Sequence, residues 1–171
     1  MRPSFWHRLD VWARRLTPFG LTLILVLAGV VPFYVPGYAR VIPLLPLMAI
    51  HHWTINRPEL MPAYAVFIIG ILQDILTGIP IGISAVVFLG VHGVVRSQQR
   101  FFAGKSFAVV WLGFALVAGG AALASWILIS IYNMTPVTPD AAFFQYLVTL
   151  GCFPPVAWVF LRWQQTFLKQ D

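Results

Sequence analysis

The chain has 171 residues, of which 60% are hydrophobic and only 9% are charged, and its mean hydropathy is +0.84. Soluble domains carry roughly a quarter charged residues, so this composition excludes an ordinary soluble protein and indicates an integral membrane protein. The net charge of +6 does not predict nucleic-acid binding, because the basic residues lie mostly at the ends of apolar runs. A single cysteine, Cys152, excludes a disulfide within the chain.

Six apolar runs follow one another along the chain. A membrane-spanning helix needs about 20 residues, so a chain of this length has room for about six spans and short loops. Prolines at positions 43 and 46 and the short link between the third and fourth runs predict that some spans are short, tilted or broken. The predicted spans are Phe19–Val35, Tyr38–Trp53, Pro62–Gly78, Ile81–Val95, Ser106–Tyr132 and Ala141–Trp163. The fold class is therefore an all-α membrane bundle of six helices.

The distribution of Lys and Arg between these runs predicts the orientation. Ten of these residues fall on one side of the membrane and only one, Arg40, falls on the other. Cytoplasmic loops carry the excess of positive charge, so both termini are expected in the cytoplasm.

A basic segment, residues 1–18, precedes the bundle of residues 19–163, and a short cytoplasmic tail, residues 164–171, follows it. Ser4 can cap a short helix with an apolar stripe that includes Phe5 and Trp12. We expect this helix to lie on the inner leaflet, either as an anchor to anionic lipid or as a docking site for a cytoplasmic partner.

Asp74 is a carboxylate inside the apolar third run, with a glycine four residues away on each side, at Gly70 and Gly78. At helical pitch these residues and Gly82 would share one face, where a neighbouring helix can approach closely. A carboxylate at mid-membrane is costly, so it is expected to face the protein interior and to have a partner. We therefore predict that Asp74 joins two spans through hydrogen bonds.

The sequence offers few other chemical groups for an active site. His51, His52, His92 and Ser84 show no spacing typical of a catalytic set or a zinc site, and Asp74 is the one acid deep in a span. An enzyme, a cofactor and a metal site are therefore not expected. His51 and His52 are interpreted as interfacial residues that hydrogen-bond to lipid headgroups or loop carbonyls, and Trp53 as part of an aromatic belt. His92 is interpreted as a packing residue with no assigned role.

Two stretches of the sequence resemble one bacterial family. The run GILQDILTGIPIG, residues 70–82, resembles the glycine and aspartate signature of MreD, a membrane subunit of the rod-shape system. The preceding stretch, residues 43–62, resembles the Trp and Arg-Pro segment of many members, and here it contains Trp53, Arg57 and Pro58. The resemblance covers about positions 19 to 163. It carries over Gly70, Asp74, Gly78 and Gly82, together with the second segment, as residues for helix packing or partner binding.

The resemblance implies a scaffold without enzymatic activity. Members bind the protein MreC and, through it, act with MreB filaments and with the glycosyltransferase and transpeptidase that build lateral peptidoglycan. Their six-helix fold is thought to resemble the substrate-binding subunit of energy-coupling-factor transporters. This likeness leaves an alternative open, a vitamin-type binding subunit of a transporter. A homodimer is also possible on this reading.

Two expectations for variants follow. Asp74→Asn should largely retain function, because asparagine keeps most hydrogen-bonding groups, whereas Gly78→Leu should block the close approach of a neighbouring helix.

Overall fold

The structure, a computed structural model, describes residues 5–29 and 42–167. The described residues form helices and turns with no strand, which confirms the prediction of an all-α chain. Predictions that involve Ser4, Tyr38, Arg40 and the last four residues lie outside the described part. The seven α-helices of that part are α1 (Phe5–Gly29), α2 (Leu45–Asn56), α3 (Ala63–Thr77), α4 (Ile83–Ser97), α5 (Gln99–Phe102), α6 (Phe107–Asn133) and α7 (Pro139–Phe167).

Helix α1 joins the predicted juxtamembrane segment to the first predicted span without a break. Pro18 lies inside the helix, close to the predicted boundary, and its carbonyl accepts a 2.7 Å hydrogen bond from the Thr22 hydroxyl. Within residues 5–29, the described parts of the two predicted elements are therefore one continuous helix. The side chains of the predicted apolar stripe, from Phe5 to Trp12, are not among those described.

Helix α2 is the central element of the bundle and packs against α1, α4 and α7. It has 12 residues and begins only after Pro43, later in the chain than the predicted span Tyr38–Trp53 begins. Pro46 falls in its first turn, where the missing N–H has no partner to lose. All residues from Pro46 to Ile55 are buried, as expected of a helix that is apolar on every side.

Helices α3 and α4 form a hairpin, and this pair packs more closely than any other in the described part. Gly78 ends α3 in a left-handed conformation with φ 71°, and Gly82 begins α4 with φ 108°. These positive φ values favour glycine, which has no Cβ to clash with the backbone. A five-residue turn from Gly78 to Gly82 therefore separates the two helices.

Helices α6 and α7 pack together on the other side of α2. Pro154 lies inside α7 and has no N–H, so the carbonyl of Leu150 one turn earlier lacks its helical donor. The indole N–H of Trp111 on α6 donates to that carbonyl at 3.3 Å. The proline thus creates a polar contact between the two helices.

Helix α7 also holds the start of α2. The Gln145 side-chain amide donates to the Ile42 carbonyl at 2.7 Å, and the Thr149 hydroxyl accepts from the Leu44 amide at 3.0 Å. As a result, the starts of α2 and α7 lie at the same end of the bundle.

Judged by length and composition, only α6 and the segment Pro139–Trp163 of α7, among the described helices, are long and apolar enough to cross a membrane. Shorter apolar helices occupy Leu16–Gly29, Ala63–Thr77 and Ile83–Ser97. A 15-residue helix is about 22 Å long, less than the roughly 30 Å hydrocarbon core.

Candidate functional site

Asp74 lies on the last turn of α3, and its side chain is fully buried. Its Oδ2 atom accepts a 2.7 Å hydrogen bond from the amide of Gly82, and its Oδ1 atom accepts one of 3.0 Å from the amide of Ser84. The donors are thus N–H groups at the N-terminus of α4, where backbone amides have no acceptor within the helix. A carboxylate is stabilised there by these donors and by the positive end of the helix dipole.

The main chain of Asp74 takes part in the same turn. Its carbonyl accepts a 3.0 Å hydrogen bond from the amide of Gly78, which closes the C-terminus of α3. Gly82, at the N-cap position of α4, has no side chain that could cap that helix. Asp74 therefore closes the end of one helix with its backbone and caps the next with its side chain.

The bonding pattern changes the expectation for Asp74→Asn. Both partners are N–H donors, so the amide NH2 of an asparagine would face a donor where the carboxylate has an acceptor. An asparagine oxygen in the place of Oδ2 could still accept from both amides, at 2.7 and 3.2 Å, but its NH2 would face the Ser84 amide, which donates to Oδ1 at 3.0 Å. We therefore expect this variant to keep part of the interaction and to be less stable than the wild type, and its retention of function stays a prediction.

Gly70 is the glycine at which α3 and α4 come closest. A Cβ atom at this position would lie 2.6 Å from the amide nitrogen of Ala85 and even closer to its Cα. Real Cβ atoms essentially never approach backbone atoms so closely. Glycine at position 70 is thus required by the close contact of the two backbones.

Gly78 and Gly82 do not extend the face that Gly70 and Asp74 share. The helix ends at Thr77, and a Cβ atom at either turn glycine would meet no atom within 4 Å. The prediction of a continuous glycine stripe through position 82 is therefore wrong. Backbone conformation requires these two glycines, and Gly78→Leu would act by straining the turn rather than by blocking a neighbouring helix.

The second predicted segment lies away from this hairpin turn. Trp53 is fully buried on α2, where its ring lies 5.8 Å from that of Phe160, so its interpretation as an interfacial belt residue is wrong. Pro58 begins a short 3-10 helix before α3. Arg57 lies 3.8 Å from Glu59 in an exposed ion pair, a contact that contributes about 0 to 1 kcal/mol.

The paired histidines are also in the interior. His51 is fully buried, and its ring packs edge-on against the rings of Phe102, Phe114 and Phe153. His52 packs against Phe160 with ring centroids 5.1 Å apart. The prediction that these residues contact headgroups is wrong, because α2 is surrounded by other helices at this point.

His92 is a buried residue of α4, as expected of a packing residue. Its Nε2–H donates to the carbonyl of Met61 at 2.9 Å, which links α4 to the start of α3. Among the side chains that the structure describes, there is no group of three or more His, Cys, Asp or Glu residues that could hold a metal ion.

Sequence reasoning did not find Ser84 and Ala85 as the partners of Asp74 and Gly70. Both use only backbone atoms for these contacts, and backbone atoms leave no signal in residue type. It also missed a groove between α4 and α6, because a groove depends on how two helices are placed.

This groove, the α4–α6 groove, has a volume of about 510 Å³ and an almost wholly apolar lining. Gly90 and Gly120 lie in it, and a Cβ atom at either would meet nothing within 4 Å. Exposed apolar side chains, including Val86 and Leu116, border it. Along α6 it extends from Gly113 to Leu128, about 22 Å at 1.5 Å per residue.

The fold and these surfaces define a helical membrane protein in which a buried aspartate joins two helices. The pattern of the MreD family, described as rod shape-determining protein MreD, matches residues 12–164 of the chain. The chain therefore belongs to the MreD family and is a rod-shape-determining membrane protein. Searches among curated proteins and among solved structures gave no match. The family match gives no support to the transporter-subunit alternative.

Proposed function

We propose that this chain is a non-enzymatic membrane scaffold that binds the transmembrane helix of an MreC-type protein in the α4–α6 groove. Family membership places the chain in the rod-shape system. The observation that carries the proposal is the groove itself, which is long, apolar and bordered by exposed apolar side chains.

The dimensions of the groove favour a helix as its occupant. A length of about 22 Å along α6 covers most of the roughly 30 Å hydrocarbon core, far more than a compact ligand needs. Its glycines let another backbone approach closely, as small residues do where membrane helices pack. Gln98 is the one lining residue with a polar side chain, and it lies at one end. An apolar partner helix therefore suits the groove.

Through the partner, the scaffold would act with MreB filaments and with the glycosyltransferase and transpeptidase of lateral peptidoglycan synthesis. This wider role follows from the family resemblance and from the proposed contact with MreC. In this proposal Asp74 and Gly70 hold α4 against α3, and this packing fixes one wall of the groove.

Substitutions in the groove test the proposal. Gly90→Leu adds bulk to the groove from α4, yet a Cβ atom there meets no atom of the chain within 4 Å, so we expect the variant to fold. We expect co-purification of the MreC-type partner to fall at least tenfold, because bulk prevents close helix approach. Gly93→Leu is the matched control, since Gly93 is exposed on the same helix and does not line the groove.

Equal capture of the partner by both variants would contradict the proposed docking face. If the variants instead changed self-association and left partner capture intact, the groove would be a homodimer contact.

We also propose that the chain crosses the membrane six times and has both termini in the cytoplasm. Ten of the eleven Lys and Arg residues then lie on the cytoplasmic side. The grouping of helix ends supports alternating crossings, because one cavity brings together the end of α3, the start of α4, the end of α6 and the start of α7.

Reporter fusions test this orientation. Alkaline phosphatase is active only outside the cytoplasm, so we expect a fusion after Pro136, between α6 and α7, to be active and one after Lys169 to be inactive. The opposite pattern of activity would reverse the proposed orientation.

A further inference from the structure

A second cavity lies at the end of the bundle where α3 and α6 finish and α2, α4 and α7 begin. Its volume is about 250 Å³, and it is more polar than the α4–α6 groove. Its lining includes residues of α6, Ala122, Ser125 and Ile129, that lie on a different side of this helix from the groove residues Ala121 and Leu128. The two sites are therefore separate.

Gln73 is the residue that points to a ligand. It is only 3% exposed, it lines the cavity, and its side-chain Oε1 has no hydrogen-bond partner. Buried polar atoms in proteins are almost always satisfied, because an unpaired one loses its bonds to water and gains nothing in return. A bound group with an O–H or N–H donor would satisfy this oxygen.

The other polar residues of the cavity define the chemistry of that group. Trp126 donates its indole N–H to the Val137 carbonyl at 2.8 Å, so its hydrogen-bond donor is already used and its ring contributes an apolar surface. The Gln145 amide likewise donates to Ile42, which leaves its oxygen as an acceptor. Ser125 and Thr138 add hydroxyls that can donate or accept.

The cavity has no charged residue in its lining. Asp74 is adjacent in sequence to Gln73, but its two oxygens already accept from the amides of Gly82 and Ser84. A ligand would therefore gain nothing here from carrying charge and would lose its hydration. The volume lies just below the roughly 300 Å³ at which pockets for drug-sized ligands begin, so a single ring fits better than a long chain.

We propose that this cavity binds one neutral sugar ring, whose hydroxyls donate to the side-chain oxygens of Gln73 and Gln145 and whose apolar face packs against Trp126. A peptide is less suitable, because it would need a continuous groove and offers fewer donors per unit of volume. With the proposed orientation of the chain, the site lies on the outer side of the membrane. The proposal does not depend on the docking of a partner helix.

Binding to the intact protein in phosphatidylcholine nanodiscs tests this inference, with purification in a detergent that carries no sugar. Saturation-transfer NMR would measure methyl glucoside and N-acetylglucosamine as neutral probes, and glucuronic acid and glucosamine as charged ones. We expect a neutral probe to bind at least tenfold more tightly than the charged probes. A parallel arm with a glucosyl lipid in the nanodisc distinguishes a lipid headgroup from a free sugar as the source of the ring.

Gln73→Leu removes the unpaired oxygen while keeping a similar volume, and it should weaken neutral-sugar binding about tenfold or more. Gln165→Leu makes the same change at an exposed position outside both the cavity and the α4–α6 groove, and it should leave binding unchanged. Because Gln73→Leu replaces a buried unpaired polar group, we expect its thermal stability without sugar to equal or exceed that of the wild type. Absence of binding by every neutral probe, free or lipid-linked, would overturn the proposal, as would unchanged binding by the Gln73 variant.

Discussion

Asp74→Ala is expected to destabilise the protein by about 3 kcal/mol, because the partly buried amide of Gly82 and the buried amide of Ser84 lose their acceptor at about 1–3 kcal/mol each. Asp74→Asn should fall between this variant and the wild type, at about 1–3 kcal/mol, since one oxygen remains to accept. The expected order of stability is therefore wild type, asparagine, alanine. Thermal unfolding of the three proteins in nanodiscs measures it.

The same variants separate a structural role of Asp74 from a chemical one. Under the structural account, cell-shape function and partner capture decline together with stability. If Asp74→Asn abolished function while expression, stability and capture of the partner stayed normal, the negative charge itself would be required. Asp74 would then be a proton- or ligand-binding group.

Gly70→Ala is expected to be about as harmful, although it adds only one methyl group. The added Cβ would overlap the backbone of Ala85, so α3 and α4 must move apart. Overpacking costs about 1–3 kcal/mol and occasionally more, and a clash with backbone belongs at the upper end because no side chain can rotate away. We expect the unfolding midpoint to fall by roughly 6–12 °C, on the scale of about 2–4 °C per kcal/mol.

Two other glycines provide controls for this prediction. Gly93→Ala adds the same methyl to an exposed position of α4 with no atom within 4 Å, and it should be neutral or stabilise the helix by up to about 1 kcal/mol. Gly78→Ala must adopt a positive φ and should cost about 1–2 kcal/mol. Equal effects of Gly70→Ala and Gly93→Ala would show that the two helices do not depend on the close contact.

The α3–α4 hairpin was predictable from the sequence only in part. A buried acid among glycines predicted a hydrogen-bonded contact between helices, and the structure places such bonds at Asp74. The positions of Gly78 and Gly82 were not predictable from helical spacing, because the same four-residue interval fits a continuous helix and a helix followed by a turn. Only the backbone angles separate these two possibilities.

The interior of the bundle was harder to predict for a different reason. His51 and Trp53 have polar atoms and lie near the end of an apolar run, a pattern that is typical of the membrane interface. Their burial comes from the other helices that surround α2, above all through Phe114, Phe153 and Phe160, which are distant in sequence. Periodicity within one segment contains no information about such neighbours.

Photo-crosslinking in cells tests the central claim, that the α4–α6 groove holds the transmembrane helix of an MreC-type partner. Benzoylphenylalanine at position 116 would replace Leu116, which is 80% exposed and lines the groove, whereas position 159 would replace Val159, which is 51% exposed on α7. We predict a crosslink to the MreC-type partner from position 116 and none from position 159. A crosslink to that partner from position 159 alone would contradict the account.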